Sequence, residues 1–403
     1  MVDIIGFLLQ YKYIIIFYLV VTLLVYLHKK DIDFQAKIIM LYRTAVGLGF
    51  IKKFATKFRE WVILYGYIST GLGIIGLFVI SFVMLKNIYT LLFVSGSSSG
   101  VSLVLPGVNV PGLGVLPFWH WLIAIFIIAV VHEFSHGIVA KAHNIKVHST
   151  GLVLIGPIIG AFVEPDEKTM DKKSDIIQYS VMAAGPISNV VLAVFAILLL
   201  HFCVAPLQSS MLDENGFTFA EYTGEGYPAE LAGLPVNAPI TGINGQTTNN
   251  FQAFAEVLQC TSPGETITIT AMNAEGNPAE FELTLAENPE VPGKSYMGIS
   301  TITNEFDVKQ EYTSATSTAA YNTLDWLASF LRWLFILSLG IGLFNLLPLP
   351  IVDGGKMTQI FLHKWKGKVK GELLYHRISM VFLLVLLFSI LFPLFQTMIG
   401  WVF

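Results

Sequence analysis

The chain has 403 residues, 54% hydrophobic and only 13% charged, where soluble domains average about 45–50% apolar and ~25% charged. A single soluble globule is excluded, and the length suits two or three domain-sized units. A formal net charge of -4 without a basic tail gives no footprint for nucleic acid, so no such partner is expected. Two cysteines, Cys203 and Cys260, can carry neither a disulfide framework nor a thiolate zinc cluster.

Six apolar stretches reach the roughly 20 residues that cross a ~30 Å bilayer core. They run from Ile5 to Leu27, Trp61 to Met84, Phe118 to Ala140, Ile176 to Leu200, Trp326 to Leu347 and Ile378 to Val402. The first lacks a basic flank and a cleavage site and reads as a retained span. After it come Lys29, Lys30, Lys37, Arg43, Lys52, Lys53, Lys57 and Arg59, which the positive-inside bias places in the cytoplasm. Threading onward puts the lysines of 141–173 and 356–370 inside as well. Both termini and the stretch from Phe202 to Asp325, whose basic residues are Lys294 and Lys309, then lie outside. The expectation is a multi-pass protein of the cell membrane.

Between the spans, Ser95 to Pro117 is too broken by Gly, Ser and Pro to cross. Gly151 to Glu164 is an apolar, Gly/Pro-punctuated run of strand length that reads as a re-entrant loop or hairpin, since irregular backbone at membrane depth must be covered by protein or line a cavity. Residues 202–325 alternate strand-like runs with turn residues and read as a small α+β module. The domain boundaries expected are 1–116, 117–201, 202–325 and 326–403, the second and fourth forming one membrane core.

The third span ends in Val131-His132-Glu133-Phe134-Ser135-His136-Gly137. Imidazoles at i and i+4 share a helix face, and this is the arrangement that holds zinc while the intervening Glu takes a proton from water. The other reading is a set of polar residues at a helix end, but two His and a Glu in an otherwise apolar helix cost several kcal/mol unless satisfied, and a metal satisfies all three. His132 lies fourteen residues beyond Phe118, about 21 Å into the core at ~1.5 Å per residue. The metal is therefore expected within the membrane, toward the cytoplasm. A third ligand is offered by Asp353, the acid at matching depth in Asn345-Leu346-Leu347-Pro348-Leu349-Pro350-Ile351-Val352-Asp353-Gly354-Gly355. The two prolines unwind that chain, and Gly354 and Gly355 allow tight backbone. The alternative reading makes Asp353 an N-cap for the next segment.

These residues resemble the site-2 protease family of intramembrane zinc metalloproteases. His132 to His136 looks like its first motif, and Asn345 to Gly354 like its Asn-x-x-Pro-x-Pro-x-x-Asp-Gly region, with Val352 where leucine is usual. Ala184-Gly185-Pro186-Ile187-Ser188-Asn189 is similar to its Gly-Pro-x-x-Asn, and Gly160-Ala161-Phe162-Val163-Glu164 resembles, more loosely, its membrane hairpin. The resemblance implies His132, His136 and Asp353 as ligands of one zinc ion and Glu133 as general base. It also suggests Asn189 and Asn345 as polar groups facing the site, with Gly160 and Phe162 as substrate contacts.

Gly226-Tyr227-Pro228-Ala229-Glu230-Leu231-Ala232-Gly233-Leu234, Ile243-Asn244-Gly245 and Ser262-Pro263-Gly264-Glu265 look like a bacterial-type PDZ domain, either binding a peptide at a sheet edge or acting as a steric filter. The fold expected is a polytopic α-helical membrane protein of about six transmembrane helices with a re-entrant β-hairpin and an inserted extracytoplasmic α+β PDZ-like domain. Its partners would be single-span transmembrane substrates and the lipid bilayer. The competing readings are a membrane protein that holds zinc without turnover and sequesters substrates through its PDZ-like module, and a zinc-dependent transporter.

Overall fold

The computed structural model describes residues 11–35, 39–94, 100, 104–107, 109–110, 113–155, 158–273, 276–289 and 291–400. In chain order its first elements are helix α1 (Lys12–Leu27), strands β1 (Ile32–Gln35) and β2 (Ile39–Thr44), helices α2 (Leu48–Lys57), α3 (Arg59–Phe93) and α4 (Phe118–Ala142), strands β3 (Val147–Ile155) and β4 (Ile158–Pro165), and helix α5 (Asp175–Leu199). There follow strand β5 (Leu212–Tyr222), β6 (Ile240–Ile243), helix α6 (Phe251–Leu258), and strands β7 (Thr266–Met272), β8 (Pro278–Thr284) and β9 (Ile299–Val308). Helices α7 (Ala315–Phe344), α8 (Asp353–Lys366) and α9 (Lys368–Gly400) complete the chain. It divides into two compact units, one of residues 1–200 with 329–403, the other 201–328.

Among the described residues five helices are long and apolar enough to cross a membrane: Arg59–Phe93, Phe118–Ala142, Asp175–Ser210, Thr316–Phe344 and Lys368–Phe392. The first expected span appears as the shorter apolar helix Lys12–Leu27; its residues 5–10, and residues 401 and 402 of the last expected span, lie outside the described residues. The second is longer than expected, 35 residues, because no proline or helix-ending glycine follows Met84 until Gly96.

The first unit is held by small-on-large packing. Ala140, Ala183 and Ala184 are fully buried with Val62, Val139, Val181, Leu346 and Met357 around them. In a bilayer, lipid tails are as apolar as leucine, so helices associate where small residues let backbones approach. The expected hairpin is present as β3 paired with β4, although residues 156 and 157 of its turn lie outside the described residues. It is part of a larger sheet than expected. The residues after the first span were read as a plain basic loop, yet β1 and β2 join the hairpin in an antiparallel sheet ordered β1-β2-β3-β4. Of Ser95 to Pro117, the described part contains only the two-residue pair Asn109–Val110 with Gly114–Val115; 95–99, 101–103, 108 and 111–112 lie outside the described residues.

The second unit is β-rich. Its sheet runs β8-β7-β6-β5-β9, and β7, Thr-Ile-Thr-Ile-Thr-Ala-Met, alternates buried positions with less buried ones as a half-covered strand should. Phe217, Phe219, Ile240, Ile243, Phe254, Ile267 and Ile269 form its core.

Candidate metal centre

Helix α4 supplies the two imidazoles. His132 and His136 are one turn apart on its buried face, their rings edge to face with centroids 4.8 Å apart. The His136 Nδ1–H donates to the Val181 carbonyl of α5 at 2.6 Å. A carbonyl can only accept, so in the neutral ring the proton is on Nδ1 and Nε2 presents a lone pair. That Nε2 lies 3.1 Å from His132 Nε2.

Asp353 closes the group. Its Oδ2 is 3.1 Å from His132 Nε2 and its Oδ1 3.4 Å from His136 Nε2. Asp353 is neither on the unwound chain nor its N-cap. Residues 345–352 form the irregular connection, Val352 holds the capping position without a side-chain bond, and Asp353 is the first residue of α8. The Gly354 N–H bonds back to the Asn345 carbonyl at 2.7 Å, which folds the turn so tightly that a Cβ on Gly355 would fall 1.7 Å from the Leu349 carbonyl oxygen. Glycine is required there for Asp353 to arrive over the imidazoles.

These residues fit a metal. Two nitrogens and a carboxylate oxygen lie within 4.8 Å of one another, three electron-pair donors of the set used in catalytic zinc sites. Helix α5 leaves room beside them, because a Cβ on Gly185 would sit 2.3 Å from His136 Nε2 and 2.7 Å from His132 Nε2.

The group opens on a cavity of about 950 Å³, lined by Glu133, Phe162, Asn345 and Lys356 among others. Glu133 Oε2 accepts from the Val163 N–H of β4 at 3.1 Å, so the helix carboxylate and the strand are directly joined. Asn189 is elsewhere. It is fully buried, with its amide nitrogen 3.1 Å from His132 Nδ1 and its amide oxygen without a partner among the described residues. Asn345 thus faces the cavity, whereas Asn189 stands behind His132. Gly160 is in β4 but does not line the cavity, whereas Phe162 does.

Sequence reasoning missed the polar mouth. Arg43 of β2 binds Asp33 at 2.6 Å and Glu164 of β4 at 3.4 Å, and Ser149 donates to Glu164 at 2.5 Å. His148 lies 2.8 Å from Asp166 and, with Thr169, holds that carboxyl down to about 2. The Arg43–Glu164 pair joins residues 121 positions apart, so only the sheet register reveals it.

An uncharacterized protein from Methanocaldococcus jannaschii is 29% identical over 87% of this chain and 85% of its own length. The zinc metalloprotease RasP of Oceanobacillus iheyensis is 22% identical over 56% of this chain and 61% of its own, and a putative zinc metalloprotease of Rickettsia conorii 23% over 62% and 89%. A PDZ domain from a Listeria monocytogenes SdrC-like protein matches 21% of this chain and 86% of that one at 20% identity, with a TM-score of 0.19, a likeness too slight to carry an argument. The profile of Peptidase family M50 matches residues 120–387, a stretch that holds both imidazoles, Glu133 and Asp353, and with it the chain belongs to that family of site-2 protease-type metalloproteases and is a membrane protein.

Proposed function

We propose that the chain is an intramembrane zinc endopeptidase that cuts single-span protein substrates within the bilayer. The observation that carries this reading is Glu133, which lines the same cavity as His132, His136 and Asp353. A metal site without turnover has no use for a base beside its ligand. His132, His136 and Asp353 would hold one zinc ion, which when bound supplies a Lewis acid for the scissile carbonyl and for water. Glu133 takes a proton from the attacking water and returns it to the departing amine. Asn345 polarises the carbonyl from the cavity wall.

A transmembrane helix has all its amides bonded, so hydrolysis first requires local unwinding, and the freed groups must be bonded again in a medium that offers no water. Strand β4 supplies that pairing. Among the described residues it pairs only with β3, and the Val163 amide, aimed at Glu133, shows which way its open edge faces. Backbone groups alternate along a strand, so Ile159 and Ala161 present theirs on the same open side. The proposed topology puts both termini and the β-rich unit outside and the metal toward the cytoplasm, by the lysine distribution. The β-rich unit would recognise or exclude the outer part of a substrate as a PDZ-like module.

The test is cleavage of single-span substrates by detergent-purified protein with and without a zinc chelator, beside Glu133→Gln. The variant should keep its metal and lose about 10²–10⁴-fold in rate. Near wild-type turnover of Glu133→Gln would remove the general base.

A further inference from the structure

Helix α8 begins at the metal-site carboxylate and ends in a cluster of a different kind. Phe361 and Trp365 are exposed there, their rings 6.2 Å apart, and the Lys366 ammonium lies 4.0 Å from the Trp365 ring centre. Lys364, Lys368 and Lys370 are exposed beside it. Under these residues a cavity of about 510 Å³ runs between α3, α8 and α9, with walls that include Ile74, Phe78, Pro348, Met357, Trp365 and Phe382.

We infer that this cavity is a binding site for one anionic phospholipid, an acyl chain lying in the cavity and the phosphate at Lys366, Lys368 and Lys370. Three observations fix that occupant. Helices α3 and α9 are both apolar enough to cross a membrane, so the cavity opens where acyl chains are. Trp365, with an apolar body and a polar edge, marks the boundary with the headgroups. The rim is positive and stays so, because the acids that face it are already engaged. Asp175 is bound by Lys364 at 2.5 Å, and Glu372 by His363 at 2.6 Å, His376 at 3.1 Å and Gln359 at 2.9 Å.

A zwitterionic lipid would bring its phosphate together with a cationic group that the lysines repel, and a second copy of this chain would oppose one lysine cluster with another. An anionic headgroup satisfies them. The site also touches the chemistry. Met357 lines the cavity and is packed in the core with Ala183 and Ala184, one turn after Asp353 on α8, and Pro348 belongs to the connection that delivers Asp353.

The experiment is native mass spectrometry of the delipidated full-length protein offered equal dioleoyl-phosphatidylglycerol and dioleoyl-phosphatidylcholine. One retained phosphatidylglycerol, favoured about fivefold or more, is expected. The triple variant Lys366→Gln, Lys368→Gln, Lys370→Gln should bring the two lipids to parity, and the corresponding triple change to Arg should keep the preference. Ile74→Trp, which fills the cavity from its lipid-facing side, should lose the retained lipid while unfolding at the wild-type temperature. Equal retention of both lipids by wild type, or a preference that survives the Gln changes, would mean an unselective lipid annulus and overturn the assignment. Undiminished retention by Ile74→Trp would overturn the placement of the acyl chain.

Discussion

The Asn189 amide oxygen is buried without a partner among the described residues, while its amide nitrogen faces His132 Nδ1. When His132 Nε2 gives its lone pair to a metal, Nδ1 carries the proton and needs an acceptor. Turning the amide over supplies one, and on that ground Asn189 is proposed as a positioning residue for His132. Asn189→Leu, similar in size but without an acceptor, is expected to weaken zinc binding about 10–100-fold in a chelator competition and to recover most activity at saturating zinc. If Asn189 instead touched the scissile carbonyl, zinc affinity would stay and the rate at saturating zinc would fall. Spacing alone made His132, Glu133 and His136 legible, and depth singled out Asp353. The partner of Asn189 was not legible, because it depends on which face of α5 meets α4.

Strand β4 has one ladder and one open edge, and a proline tests them separately. Ala161→Pro and Ile159→Pro remove amides from the open edge and leave the pairing with β3 in place, as edge strands tolerate. Loss of one or two substrate hydrogen bonds should slow cleavage about tenfold with zinc retained. An unchanged rate for both would exclude strand pairing as the way substrate is held. Helices were easier to read than this sheet. A run of twenty apolar residues is a signal contained in one segment, whereas β2 pairs with β3 across Arg43 and Gly151, residues with no feature in the sequence that links them. The short strand Ile32–Gln35 was hidden among lysines that fit a cytoplasmic loop just as well.

At the scale of the whole molecule, the β-rich unit 201–328 and the helical unit each have a core of their own, and all four site residues belong to the helical one. Replacing residues 212–312 with a Gly/Ser linker should leave zinc binding and the cleavage of substrates with short outer segments, and should raise the relative rate on substrates with bulky ones. A variant that binds zinc but cuts neither kind would show that the unit helps to build the active site.

The three residues proposed to hold the metal are also far apart in time. His132 and His136 are made early, and Asp353 follows more than two hundred residues later, roughly 10–40 s at about 5–20 residues per second. Until then α8, whose first residue is that carboxylate, does not exist, and neither does the turn that delivers it. A message cut short between His136 and Asp353 therefore yields a chain with Glu133 and both imidazoles but without the carboxylate proposed as the third ligand, so such an incomplete copy is disarmed by the order of its synthesis.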